Sequence, residues 1–151
     1  MYKTILVPLD GSDVAEAILP HAEELARLCD ASVTFLNVIE LPHIIPPERG
    51  ESYSGLPHVT AADVERQVQE ARRYLDELTA READKGIVAR GLVEHGPIVA
   101  TILRLAAEQS VDLIAMASHG RGGLADVYYG SVAAGVLQRI DRPLLIVRAQ
   151  K

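Results

Sequence analysis

The 151-residue sequence predicts an α/β domain built on a doubly wound parallel sheet, and three observations carry that expectation. Five short apolar, β-branched runs alternate with four helical patterns in the order βαβαβαβαβ, which calls for right-handed crossovers. Several runs are nearly continuous rather than alternating, as strands buried on both faces are. The composition is 48% hydrophobic but 4% aromatic, with no Trp, leaving Ala, Val, Ile and Leu to fill a core of helices laid on a sheet.

The strand runs are Thr4 to Leu9, Ser32 to Ile39, Ile87 to Val93, Asp112 to Met116 and Leu144 to Val147. The first helix is capped by Ser12, with Val14, Ile18, His21, Ala22, Leu25 and Leu28 at helical spacing on one face. Pro20 lies inside that pattern and predicts a kink or a late helix start. The second helix follows Thr60, with Val64, Val68, Ala71, Leu75 and Leu78 as its stripe and charges opposite. Pro97 opens the third, marked by Ile98, Ile102, Leu105 and Ala106. The fourth begins near Gly130-Ser131, runs through Val132, Val136 and Ile140, and stops at Asp141-Arg142-Pro143. Pro42 to Val59 is one long irregular connection, either a flap over a site or a plain surface excursion. No repeat, linker or second domain shows, so residues 1–151 are expected to form one unit.

Charge and cysteine content narrow the function classes. Formal net charge is −6 and Lys occurs only at positions 3, 85 and 151, a poor basis for the basic surface that nucleic acid needs. The single Cys29 allows neither an internal disulfide nor a multi-cysteine metal site and fits a reducing compartment. The run Ile5 to Leu9 is too brief for a signal peptide, and no stretch reaches membrane-span length. A cytoplasmic protein without nucleic-acid or membrane partners is the expectation.

In open α/β sheets, ligands bind beyond the carboxyl ends of the strands where strand order reverses, which directs attention to the loops after the first and fourth strands. After the first stands Pro8-Leu9-Asp10-Gly11-Ser12; after the fourth, Ala117-Ser118-His119-Gly120-Arg121-Gly122-Gly123, then Gly130-Ser131 at a helix start. The glycines free the backbone to adopt positive φ and turn N–H groups toward an anion. The helix start adds unpaired N–H groups, a positive dipole end and a hydroxyl. No Lys lies near this loop, so a Walker A reading fails, and no G-x-G-x-x-G follows the first strand. Arg121 is the loop's one cation, placed either to meet phosphate oxygens or to point into solvent. Ser118 and His119 are adjacent and therefore poorly set to face each other as nucleophile and base; His119 is expected to brace the loop. Asp10 serves either as a helix cap or as an acceptor for a ligand hydroxyl or amine. His21, His43, His58 and His95 show no metal-binding spacing.

These residues resemble the universal stress protein family. Its nucleotide signature G-x2-G-x9-G-[ST] matches Ala117 to Gly120, nine further residues, and Gly130-Ser131. The opening Ile5-Leu6-Val7-Pro8-Leu9-Asp10-Gly11-Ser12, the middle Gly96-Pro97-Ile98 and the closing Arg142-Pro143-Leu144-Leu145-Ile146-Val147 are similar too, so the likeness spans the chain. It implies a Rossmann-like five-stranded parallel sheet in the order 3-2-1-4-5, flanked by four helices and often dimerising through the last strand. It further implies that Asp10 contacts the adenosine part of ATP and that the backbone at Val38 meets the adenine. Gly120, Arg121, Gly122, Gly123, Ser131 and Val132 would surround the phosphates, with Pro8, Ala117, His119 and Gly130 completing the set. Magnesium or manganese accompanies the nucleotide in such members. One departure is Ala117 in place of the first signature glycine; where that position needs positive φ, alanine costs about 1 kcal/mol.

The leading expectation is therefore an adenine-nucleotide-binding stress or signalling protein. AMP and cyclic AMP stand as alternative ligands, and a slow metal-dependent ATPase or a nucleotide-independent dimeric module as alternative functions. The last strand is expected at a sheet edge, open to a homodimer across it.

Overall fold

The computed structural model describes residues 1–41, 59–119 and 129–149. Five strands, β1 (Thr4–Pro8), β2 (Ser32–Ile39), β3 (Ala89–His95), β4 (Leu113–Ala117) and β5 (Leu144–Val147), form one parallel sheet in the order β3-β2-β1-β4-β5. The helices are α1 (Leu19–Cys29), α2 (Ala61–Asp84), α3 (Ile98–Glu108) and α4 (Ser131–Arg139). This is the expected Rossmann-like architecture, with β5 at an edge.

Alternation along β1 explains its continuous apolar run. Ile5 and Val7 enter a core with Phe35 of β2, Ala22 and Ala26 of α1, and Leu75 and Leu78 of α2. Leu6 between them enters the opposite core with Ile102, Leu105 and Ala106 of α3, and Ala133 and Val136 of α4. A central strand buried on both sides must be apolar at every position, and all five residues of β4 are buried as well. The described residues contain no helix long and apolar enough to cross a membrane.

The chain enters α1 more slowly than its helical spacing suggests. Ser12 Oγ accepts the Ala15 N–H at 3.2 Å and opens a 3-10 turn over Ala15–Ile18. The α-helix starts at Leu19, which leaves Pro20 in the first turn, where its missing N–H costs nothing. The buried face of α1 carries Leu19, Ala22 and Ala26, and at about 100° per residue Leu28 and His21 fall on the opposite side, Leu28 74% exposed, so neither belongs to the buried stripe.

β3 begins two residues later than its apolar run. Gly86, at φ +76°, closes α2 with bonds from the Gly86 N–H to the Ala83 carbonyl and from the Ile87 N–H to the Glu82 carbonyl. That is the glycine-ended cap in which the residue after the glycine is drawn back onto the helix, so Ile87 is spent on α2. At the head of α2, Thr60 and Asp63 exchange side-chain and backbone bonds in a capping box. Asp112, which the apolar run included, instead accepts the Lys3 and Thr4 N–H groups at 2.7 and 2.9 Å and pins the start of β1. Those two bonds hold its carboxyl below the usual carboxylate range.

Candidate functional site

The strand order reverses at β1, which has β2 on one side and β4 on the other, so the carboxyl ends of β1, β2 and β4 frame the crevice where this architecture places ligands. Pro8 ends β1, half-buried, and the Leu9 N–H makes the ladder's last bond to the Leu36 carbonyl at 2.8 Å. The chain then turns sharply at Gly11, whose φ of +83° a residue with a Cβ rarely adopts. Asp10 is exposed, and its Oδ1 accepts both the Ser12 N–H at 2.9 Å and the Ser12 hydroxyl at 2.6 Å. Asp10 thus organises the turn, while Ser12 rather than Asp10 caps the helical segment that follows.

On β2, the backbone of Ser32 and Leu36 bonds toward β1, and that of Val33 and Ile39 bonds toward β3. By the same two-residue alternation, the N–H and C=O of Val38 face the β1 side, two residues past the last β1 pairing at Leu36. Its side chain is half-buried against the α3–α4 core.

Ser118, directly after β4, is 1% exposed and ties the ends of β4 and β5 to the start of α4. Its N–H donates to the Val147 carbonyl at 2.8 Å, its carbonyl accepts the Gly130 N–H at 2.7 Å, and its Oγ accepts the Ala149 N–H at 3.3 Å. That Oγ also lies 2.9 Å from His119 Nδ1. Adjacency therefore does not keep these two side chains apart, as their order in sequence suggested. The pair nevertheless braces the end of β4, because a hydroxyl this buried is closed to a substrate. The linking role of Ser118 has one sequence signal, a small polar residue directly after an all-apolar strand.

Gly130 sits at the cap of α4 with φ −67°, an ordinary backbone conformation, and no side chain among the described residues caps that helix end. Close approach is the reason for glycine here: a Cβ would lie 3.3 Å from the Ser118 carbonyl oxygen and 3.5 Å from His119 Cα. The first turn of α4 thus carries exposed Ser131, half-buried Val132 and backbone N–H groups that lack intrahelical partners. Ala117 is the last residue of β4, 5% exposed; among the described residues only Asp30 and Ser110 combine positive φ with a side chain, so alanine costs no backbone strain at this position. Gly120, Arg121, Gly122 and Gly123 lie outside the described residues.

The structure therefore brings Pro8, Asp10 and Val38 to the ends of β1 and β2, and Ala117, His119, Gly130, Ser131 and Val132 to the neighbouring end of β4. Among the described residues, no three His, Cys, Asp or Glu side chains stand together as a metal site. Electrostatically, the crevice pairs an exposed carboxylate on one side with the positive end of a helix on the other, a setting suited to a ligand with a hydroxyl or amine at one end and an anion at the other.

Similar proteins share this arrangement of elements. The chain is 27% identical to universal stress protein MJ0577 of Methanocaldococcus jannaschii, covering 98% of this chain and 96% of that protein. The solved structure of MJ0577 matches with a TM-score of 0.82 over 100% of this chain and 99% of that one. A universal stress protein solved in complex with cAMP matches at TM-score 0.69 and 22% identity, over 99% of this chain and 98% of that one. One from Archaeoglobus fulgidus, solved with dAMP, matches at 0.65 and 22%, over 96% and 97%. The universal stress protein family model matches residues 1–148, and by that match over nearly its whole length the chain belongs to the universal stress protein family.

Proposed function

We propose that the protein is a stress-response or signalling module that binds an adenine nucleotide, ATP with magnesium or manganese, across the carboxyl ends of β1, β2 and β4. The observation that carries this reading is the start of α4, a helix N-terminus that no side chain among the described residues caps, held against the end of β4 by the 2.7 Å bond from Gly130 to Ser118. Such an end attracts phosphate through its N–H groups and dipole, and Ser131 adds a hydroxyl. Asp10 takes the adenosine part, and the main chain of Val38 offers both a donor and an acceptor to an adenine edge. The cAMP and dAMP complexes of two relatives lend support for the ligand class. Magnesium or manganese would accompany the phosphates and offset their charge; among the described residues no cluster of metal-binding side chains forms a separate site for it.

Mass spectrometry of small molecules released from the purified protein, followed by calorimetry with ATP, AMP and cyclic AMP, tests the reading. ATP is expected in the released fraction and to bind most tightly in the presence of magnesium. A protein that carries no adenine nucleotide and gives no heat with any of the three overturns it. The slow-ATPase alternative requires steady multiple turnovers that are lost on changing Asp10.

The reading includes a cytoplasmic homodimer formed across β5. The two sheet edges differ: β3 carries Arg90, Glu94 and His95, whereas β5 is Leu-Leu-Ile-Val, half-buried throughout. Charged side chains blunt an edge against pairing, and an apolar edge invites it. Light scattering at tens of micromolar is expected to return the mass of two chains, and the mass of one counts against the dimer.

A further inference from the structure

The hydrogen bonds around Asp10 do not end at its own turn. The Ser12 carbonyl accepts the Glu16 N–H at 3.3 Å, and Ser12 Oγ accepts the Ala15 N–H. Glu16 Oε1 in turn accepts the Tyr74 hydroxyl proton at 2.8 Å, a contact between residues 58 apart in sequence. A connected path thus runs from the Asp10 carboxylate through Ser12 and the 3-10 turn to the middle of α2. Past Leu9 the chain runs into that 3-10 turn, whose Ala15 and Ile18 are buried in the core while Glu16 reaches across to α2, so the seating of the turn bears on the position of the carboxylate.

We propose that Tyr74 and Glu16 are positioning residues for the nucleotide site, fixing the turn that carries Asp10 so that its carboxylate is held ready for the adenosine part of the ligand. The proposal rests on the nucleotide reading given above. Tyr74 suits a permanent brace. Its ring is half-buried against the α1–α2 core, and α2 is held there independently by Ala71, Leu75 and Leu78. Burial, the bond to Glu16 and the nearby negative charges of Glu16 and Asp10 keep its phenol protonated well above the usual tyrosine range. The donor is therefore present at neutral pH. Orientation of a ligand-binding carboxylate by a partner that touches no ligand is the ordinary way a site is held in register.

Tyr74→Phe removes the hydroxyl and keeps the ring. In the ligand-free variant, amide exchange of Ala15 and Glu16, followed by NMR, is expected to accelerate several-fold while the melting temperature stays near that of the parent. ATP affinity measured by calorimetry is expected to fall about fivefold, the range of one lost hydrogen bond. Glu16→Gln, which keeps an acceptor oxygen, should retain most of the affinity, and Tyr74→Phe should add little loss in an Asp10→Asn background. Unchanged amide exchange and affinity in Tyr74→Phe overturns the positioning role, as does a loss fully additive with Asp10→Asn. A parent protein that binds no nucleotide overturns the underlying reading and this one with it, an outcome distinguishable because the exchange experiment needs no ligand.

Discussion

Gly130→Val is expected to weaken ATP binding at least tenfold, about 1.4 kcal/mol, in a protein that remains folded. The backbone at Gly130 has an ordinary negative φ, so valine meets no conformational barrier there. The obstacle is space. A Cβ already lies 3.3 Å from the Ser118 carbonyl oxygen, tighter than most real contacts, and the two γ-methyls of valine add bulk on the same side. Relief requires α4 to shift away from β4, which lengthens the Gly130–Ser118 bond and moves the free N–H groups from where they would meet phosphate. Valine is also a poorer helix cap than glycine. Calorimetry should therefore be accompanied by thermal denaturation, so that affinity is compared between folded proteins. Arg121→Ala is expected to cost less than Gly130→Val, because main-chain donors carry the anion in this reading. Unchanged affinity in Gly130→Val sinks that model, and a larger loss in Arg121→Ala makes the side chain the main phosphate anchor.

Lys85→Ala is expected to destabilise the fold by about 1–2 kcal/mol at pH 8 and by clearly less at pH 5. Lys85 Nζ bridges Glu23 Oε1 on α1 at 2.7 Å and Glu82 Oε1 on α2 at 3.1 Å. Glu82 is fully buried, and its second oxygen, Oε2, has no hydrogen-bond partner among the described residues. Burial pushes its carboxyl above the usual glutamate value, with Glu23 adding to the rise and Lys85 opposing it. A raised value in the folded state means that the neutral carboxyl is the better tolerated form. This contribution to stability is complete below the ordinary glutamate value and is lost as pH rises through the raised one. Removing Lys85 leaves the buried carboxylate beside Glu23 with no cation, a penalty that grows with pH. About a third of the Lys85 side chain is in water, which keeps the figure below that for breaking a fully buried pair. Glu82→Gln in the Lys85→Ala background should recover most of the loss at pH 8. Urea denaturation at the two pH values measures both effects; equal losses at pH 5 and pH 8, with no recovery from Glu82→Gln, refute the account.

Much of this fold is legible because each element repeats a local period. Leu6 between Ile5 and Val7 signals a strand that needs apolar groups on both faces, and Ala71, Leu75 and Leu78 mark the buried side of α2. The punctuation is local as well: Ser12, Thr60, Pro97 and Gly130 stand at or just before the starts of helical segments, because capping needs only neighbours in sequence. Boundaries slip where one residue can serve two elements. Ile87 reads as strand but closes α2, Asp112 reads as strand but pins the start of β1, and Leu28 reads as core but lies on the side of α1 opposite Leu19, Ala22 and Ala26.

The sequence by itself determined the number, type and order of the elements, the loops that flank the candidate site, and the family likeness, since all of these reside in patterns a few residues long. Tertiary structure decided what depends on contacts between distant segments. It placed Ser118 between β5 and α4, turned Gly130 into a position of close approach rather than of unusual backbone, and made Ala117 an ordinary strand residue. It also set Tyr74 against Glu16, and Glu82 against Lys85 and Glu23. Tyrosine and glutamate on a helix read alike whether they face water or a partner, and only packing decides, because the partner lies up to 62 residues away and its side chain reaches the bond only once the helices have docked.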